Sequence, residues 1–336
     1  MKPYLSIIIP MYNASSCIER CIESIVTQKI PLQELEIFLL NDGSTDNTLE
    51  ILQGLGKKFP CITILNQSNQ GVSASRNTAI ERARGEYFWF LDADDYLIPE
   101  TAQAIFAQAQ KGQLDIITFD YKTVSLYEVV KHSDNLSPTL GQIESGAEYL
   151  ARVNYPNYCW NYIFKRRLIE NNGPRFNPKS RHWGDVLFTT QLFLSASTVA
   201  HLPSEVVAYV QMPGSLSKKG DLNRELKHIE NFFITMRGFD PLVSGETRFG
   251  KLPPATLQRI KSRQQSFVFF LCLRLWRKVL PLQKAHEIYE TLLQENRIPF
   301  RDFSFEEYKG LRYPILRAII NTPWLFKLLM RVIRWF

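Results

Sequence analysis

The sequence predicts an α/β domain, a mainly parallel sheet with flanking helices, followed by a C-terminal helical extension. Three observations carry this. Short apolar runs alternate with helix-periodic segments through the first 120 residues. One of those runs, Tyr87 to Leu91, ends directly in an acidic stretch, Asp92-Ala93-Asp94-Asp95. From about residue 221 onward the pattern turns helical and basic.

The elements follow in order. Leu5 to Ile9 is an apolar strand closed by Pro10. Ser16 and Glu19 have capping-box spacing, and Cys17, Ile18, Cys21, Ile22, Ile25 and Val26 then recur at helical spacing. Leu35 to Leu40 is the second strand and Thr45 to Leu55 the second helix. Ile62 to Leu65 is the third strand, and Val72 to Arg84, preceded by Gly71, the third helix. Tyr87 to Leu91 is the fourth strand, and Pro99 opens another helix. Strands alternating with helices imply a parallel sheet covered on both faces, whose ligands bind beyond the strands' carboxyl ends. Residues 125 to 215 are less regular and rich in aromatics.

Composition narrows the class. Hydrophobic residues make up 45% of the 336, enough for a sizeable core. Five cysteines with no Cys-x-x-Cys pair argue against a disulfide framework or a cysteine zinc site. That cysteine usage makes a reducing cytoplasm the expectation, and the apolar stretch at the start, too short for a signal peptide's apolar region, reads as a buried strand. The net charge of +7 is unevenly spread. Ala255 to Lys284 holds seven basic residues and Tyr308 to Phe336 six, with no acidic residue in either stretch. That asymmetry points the C-terminal part toward an anionic surface.

The strand ends carry the chemistry. Side chains two apart in extended chain project to one side, so Asp92 and Asp94 form a carboxylate pair where a ligand would sit. A divalent cation, Mg²⁺ or Mn²⁺, relieves their repulsion and is readily shared with substrate phosphates. The plainer reading is an acidic turn that caps the next helix. Asp42, at the end of the second strand, is placed to accept hydrogen bonds from a base or ribose, and Gly43 permits the turn that follows. Thr45 or Asp46 suits capping of the next helix. Asn69 to Asn77 (NQGVSASRN) opens a helix with small residues, a setting that favours anions, and Arg76 adds a fixed charge. Arg76 equally suits an ion pair with Asp92 or Asp95. No glycine-rich dinucleotide fingerprint, phosphate loop or serine nucleophile elbow is present.

Four segments in order, Ser6 to Asn13 (SIIIPMYN), Asn41 to Asp46 (NDGSTD), Asn69 to Asn77 and Asp92 to Asp95 (DADD), resemble glycosyltransferase family 2. The resemblance spans residues 4 to 100 strongly and extends weakly to about 217. It implies the GT-A fold and an inverting, nucleotide-sugar-dependent transferase. It implies that Pro10, Tyr12, Asn13, Asp42, Asn69, Arg76, Asp92 and Ala93 surround the nucleotide-sugar, and that Asp94, with Asp92, binds Mn²⁺ or Mg²⁺. Cys159 to Arg166 (CWNYIFKR) resembles the family's Trp-containing acceptor segment, with Tyr162 where a basic residue is frequent. His182 to Phe188 (HWGDVLF) resembles its Gly-Glu-Asp segment, with Gly184 in place of the glutamate. The matching aspartate, Asp185, is implied as the general base. Its plainer role is to cap the helix Val186 to Leu194. Trp160, His182 and Trp183 are candidates for the acceptor side, the tryptophans by stacking on a sugar or by filling the core.

The expected organisation is a catalytic domain over 1–220, with 1–120 binding the nucleotide-sugar and 121–220 the acceptor side. A basic helical extension over 221–336 would follow. Neither Phe267 to Leu273 nor Leu311 to Phe336 gives a clean run of about twenty apolar residues, so no membrane span is expected. Pro323 to Phe336 mixes aromatics with cations, as a helix lying in a membrane interface does. The other reading is a basic helix that packs back on its domain. The expected partners are therefore a nucleotide-sugar donor, probed first as a UDP-sugar, a glycan or lipid-linked glycan acceptor, and an anionic membrane. Nucleic acid is not expected, since no nucleic-acid motif accompanies the charge. The rival readings are a non-catalytic scaffold and a sugar nucleotidyltransferase. The second would need a glycine-rich loop where Tyr12 to Ser16 (YNASS) stands.

Overall fold

The computed structural model describes residues 3–133, 137, 139–155, 158–180, 184–211, 222–244, 247–277, 279–301, 310 and 312–335. The chain divides into two compact units, Met1–Tyr149 with Pro156–Lys218, and Leu150–Tyr155 with Lys219–Phe336. The second unit thus includes a short segment that precedes the boundary expected near residue 220.

The first unit is built on one sheet. Its strands are β1 (Leu5–Met11), β2 (Leu35–Asp42), β3 (Ile62–Gln67), β4 (Tyr87–Phe90), β5 (Tyr96–Leu97), β6 (Ile116–Ser125), β7 (Tyr162–Lys165) and β8 (Val199–Gln211). They lie in the order β3-β2-β1-β4-β7-β6-β8-β5. β1 pairs in parallel with β2 and β4, and β2 with β3. β7 runs antiparallel to both β4 and β6, so β6, and β8 parallel to it, point the same way as β4. β1, β2 and β4 are buried along their whole length, as strands covered on both faces must be. This is the GT-A architecture, a mostly parallel sheet with flanking helices.

The helices of this unit are α1 (Ile18–Val26), α2 (Thr48–Lys58), α3 (Val72–Arg82), α4 (Ala102–Gln110) and α6 (Gly184–Leu194); α5 (Gly146–Arg152) starts in this unit and ends in the second. α1 buries Ile18, Cys21, Ile22 and Ile25, the stripe its spacing predicts. Three helix starts differ from expectation. Ser16 does not cap α1; the amides of Cys17 and Ile18 donate instead to the Ala14 carbonyl. α2 begins at Thr48 rather than Thr45, because the Thr45 amide is bonded to the Asn13 side chain at 2.8 Å. α4 begins at Ala102 rather than Pro99. Glu100 holds a left-handed φ of 65°, which a helix cannot include. The short β5, unforeseen, precedes that turn and pairs antiparallel with β8.

The second unit contains α7 (Leu222–Ser244), α8 (Pro254–Leu275), α9 (Leu282–Gln294), α10 (Arg312–Ile320) and α11 (Pro323–Trp335). α7 and α8 are joined by an ion pair between Glu225 and Arg274. Arg297 reaches Asp240 with both guanidinium nitrogens, at 2.5 and 2.8 Å. Phe326 of α11 is fully buried and stacks on Tyr289 of α9. Among the described residues no helix is long and apolar enough to cross a membrane.

Candidate active site

The strand order reverses at β1, with β2 to one side and β4 to the other. In an open α/β sheet the usual ligand position is beyond the carboxyl ends of the strands at such a point. Asp42 ends β2, Arg76 lies on α3, Asp92 and Asp94 follow β4, and Asp185 is in the first turn of α6.

On the β2 side, Asp42 is buried and anchors the approach to α3. Its Oδ1 accepts from the Gln67 side chain at 2.8 Å and the Gln70 amide at 2.9 Å; its Oδ2 accepts from the Gly71 amide at 2.7 Å. Gly71 is the residue immediately before α3, so Asp42 sets where that helix starts. Gly43 follows with φ of 74°, and a Cβ there would lie 2.8 Å from the Asn69 backbone nitrogen. Both facts require glycine. Asn69 is exposed. Asn13 staples the loop after β1 to the loop after β2. Its amide donates to Ser44 and its side chain accepts from Thr45. Pro10 is buried within β1, while Tyr12 is 51% exposed and free to present its ring.

The centre of the site is Arg76. It lies on the second turn of α3 and is 2% exposed. One guanidinium nitrogen donates to Asp185 at 2.6 Å, another to Asp92 at 3.0 Å. The rings of Phe90 and Phe176 face it at 5.7 and 5.2 Å. Burial disfavours its charge, but Asp185 foremost, then the buried Cys159 and Asp92, outweigh that and hold its pKa above the ordinary range. Both terminal guanidinium nitrogens thus reach carboxylates. Arg76 links Asp92 and Asp185, as the ion-pair reading of it anticipates for Asp92.

The acidic stretch is strongly differentiated. Asp92, 36% exposed at the side chain, has its pKa raised to about 6. Burial drives this, Arg76 opposes it, and Asp94 and Asp185 add to it. Asp94 is raised as well, chiefly by burial. Asp95 is 1% exposed and raised to about 9, by burial first and then by Asp92 and Asp94. Asp95 is structural: its Oδ1 accepts from the Val210 amide at 2.8 Å, tying β8 to the acidic stretch. Ala93 turns its side chain into the core. Asp92 and Asp94 are the carboxylates available to a cation. Among the described residues, no cluster of three or more His, Cys, Asp or Glu side chains forms a metal site.

Asp185 begins α6 and meets Arg76 on one oxygen and the Cys159 thiol, at 3.5 Å, on the other. α6 starts hard against α3, since a Cβ on Gly184 would lie 2.8 Å from Ser73 Oγ, itself bonded to the Ser180 carbonyl.

The acceptor-side expectations fare differently. Trp160 is corrected: it is 3% exposed, stacked with Tyr158 at 4.3 Å and Tyr209 at 5.5 Å, and part of the core. No ring face remains for a sugar. His182 and Trp183 lie outside the described residues. Sequence reasoning missed Arg20, which donates to the Asp94 carbonyl at 3.1 Å and covers the Tyr96 ring. Its signal was being the one cation of α1, on the face away from the buried stripe. Tyr158 and Tyr209 were missed too, since nothing local marks them.

Residues 6–172 match the family model described as glycosyl transferase family 2. This chain belongs to glycosyltransferase family 2. EpsJ of Bacillus subtilis (strain 168), described as an uncharacterized glycosyltransferase, is 33% identical over 222 residues, 65% of this chain and 64% of EpsJ. A poly(ribitol-phosphate) beta-glucosyltransferase of Bacillus spizizenii is 29% identical over 199 residues, 58% of this chain and 30% of that protein. The match therefore spans less than two thirds of these relatives' length. TarS of S. aureus, in complex with UDP, shares the fold at a TM-score of 0.72 and 21% identity, over 99% of this chain and 90% of that one. Within the family frame, Tyr162 stands where a basic residue is frequent. It is fully buried with its hydroxyl on Thr189 at 2.8 Å, so this family 2 chain puts no charge there.

Proposed function

We propose that this chain is an inverting glycosyltransferase that moves a sugar from a nucleoside-diphosphate sugar, a UDP-sugar in the first instance, to a glycan or lipid-linked glycan in cell-surface polysaccharide synthesis. The observation that carries the reading is the Asp185–Arg76–Asp92 link, which joins a carboxylate at the start of α6 to the acidic end of β4. The relatives support the donor class: TarS is described in complex with UDP and with UDP-GlcNAc.

In this reading Asp185 is the general base. An acceptor hydroxyl attacks the anomeric carbon, its proton passes to the Asp185 carboxylate, and the nucleoside diphosphate leaves from the opposite face. The Cys159 thiol on one oxygen and Arg76 on the other fix the carboxylate's orientation. Tyr12 offers its exposed ring to the base, and Asn69 lies at the rim. Asp42 acts by holding the Gln70 and Gly71 backbone, the segment that starts α3.

Asp94, with Asp92, fits a Mn²⁺ or Mg²⁺ ion. Burial raises both carboxylates, and their mutual repulsion adds to it for Asp92, a penalty that a cation removes. Two protein carboxylates with the remaining positions left to phosphate and water is the usual arrangement for such an ion. The ion would supply charge stabilisation to the departing diphosphate.

A second surface supports action at the inner face of the cell membrane. On α11, Trp324, Leu328 and Val332 repeat every four residues and are 69%, 49% and 43% exposed, opposite the buried Phe326 and Met330. Arg331 is exposed beside them, and Lys327 pairs with Glu290. An apolar stripe edged by cations suits anionic lipid. Replacing Trp324 and Leu328 by serine, which leaves Phe326 in place, should release the protein from anionic vesicles in sedimentation; retained binding would place the contact elsewhere.

The deciding experiment is a thermal-shift panel of UDP-, GDP-, dTDP- and CMP-sugars with and without Mn²⁺, on wild type and Asp94→Ala. A ligand that binds only the folded state raises the melting temperature. One nucleotide class stabilising wild type only with metal, and not stabilising Asp94→Ala, is expected. No shift with any nucleotide would sink the donor site and favour the scaffold reading.

A further inference from the structure

We propose that Tyr209, Tyr158 and Tyr121, with Asp120 beside them, form the seat for a neutral sugar ring of the acceptor and determine which acceptor is taken. The proposal rests on the reading of Asp185 as base.

The cluster lies between the two halves of the site. Tyr158 precedes Cys159, whose thiol donates to Asp185 Oδ2 at 3.5 Å. Tyr209 precedes Val210, whose amide donates to Asp95 Oδ1 at 2.8 Å. β6 and β8 are parallel neighbours, with Tyr121 opposite Val207 and Thr123 opposite Tyr209, so Tyr121 and Tyr209 share one face of the sheet. The Tyr121 ring stands edge-on to Tyr158 at 5.6 Å and to Tyr209 at 6.2 Å. Trp160 stacks with both Tyr158 and Tyr209 from within the core, so the buried indole backs both tyrosines. Tyr209 is 36% exposed, and Tyr121 and Tyr158 are half-buried.

The chemistry matches a sugar. A pyranose has an apolar C–H face and a rim of hydroxyls. Tyrosine rings present an apolar face with a polar tip, at low cost in side-chain entropy. Asp120 is 46% exposed, with His201 Nε2 at 3.5 Å from one of its oxygens, so its carboxylate can accept from ring hydroxyls. The nearby charge selects. The exposed Asp120 carboxylate repels an anionic ring, so a uronic acid or a phosphate is disfavoured at this position. A cluster that merely filled the core would be closed to solvent, as Trp160 is.

The test is saturation-transfer NMR of the UDP- and Mn²⁺-loaded protein with neutral methyl glycosides and a methyl glucuronide. Ring protons of at least one neutral glycoside should receive saturation, and the glucuronide should not. Tyr209→Leu and Asp120→Asn should each weaken that binding tenfold or more, while Tyr209→Phe keeps most of it. The UDP-induced thermal shift should be the same in all of them, which separates loss of the seat from misfolding. Equal glycoside binding by Tyr209→Leu overturns the proposal, as does the absence of any glycoside signal from a protein that UDP stabilises. A wild type that UDP does not stabilise would instead overturn the donor reading, and its glycoside response would still decide the seat.

Discussion

The guanidinium of Arg76 lies 2.6 Å from the carboxylate of Asp185, a residue 109 positions away in the chain. The same side chain reaches Asp92 at 3.0 Å. A planar fork holds two carboxylates in fixed geometry; a lysine ammonium holds one. Arg76→Lys should therefore lose one charge-assisted hydrogen bond, about 1.5–3 kcal/mol in urea unfolding. Transfer should fall roughly 10- to 100-fold, the same loss expressed in rate. Arg76→Met should cost more, about 3–5 kcal/mol, because it strands partly buried carboxylates. Wild-type stability in Arg76→Lys would show that the two contacts are not both used.

Asp185→Asn keeps the oxygen that meets Arg76 but removes the basic carboxylate. Transfer should fall about 10²- to 10⁴-fold, the usual worth of a positioned base. The UDP thermal shift should remain. A variant that transfers at the wild-type rate would assign Asp185 to capping α6 alone.

What was legible in the sequence was what one strand and its next few residues contain. The runs Leu5 to Ile9 and Tyr87 to Leu91 announced buried strands, and Asp92 to Asp95 announced chemistry at a strand end. Helix starts were less legible because the deciding bonds come from elsewhere in the chain. Asn13 takes the Thr45 amide and delays α2, and the left-handed Glu100 delays α4. The role of Arg76 was open between ligand and ion pair, since no spacing rule shows a partner 109 residues on. Trp160 was open for another reason: a core tryptophan and a sugar platform have the same local sequence. Only its 3% exposure decides.

Asp46 yields a pH prediction. Slight burial pushes its pKa up, but hydrogen bonds from Ser15 and Thr48 outweigh it and lower the value to about 2. The unfolded value is about 3.9. A depressed folded pKa contributes stability that is present above the unfolded pKa and lost as pH falls through the folded one. Asp46→Asn should therefore have a lower urea midpoint than wild type at pH 6, and the gap should narrow steadily as pH falls from about 4 toward about 2. A gap independent of pH would mean that the charge of Asp46 contributes nothing and only its shape matters.

Gly184 stands where the family's Gly-Glu-Asp segment carries glutamate, and the packing of α6 on α3 explains the difference. A Cβ at this position would meet Ser73 Oγ at 2.8 Å, and Ser73 cannot turn away without giving up its 2.7 Å bond to the Ser180 carbonyl. Gly184→Glu should then destabilise the protein by about 1–3 kcal/mol, the range for overpacking a filled site. Ser73→Gly, by removing the obstructing hydroxyl, should recover much of that loss in the double variant while costing stability on its own. The urea midpoints of the two single variants and the double variant measure this coupling. Strict additivity would mean that Ser73 is not what excludes a side chain here, and the space beside Asp185 would then be open to a larger residue.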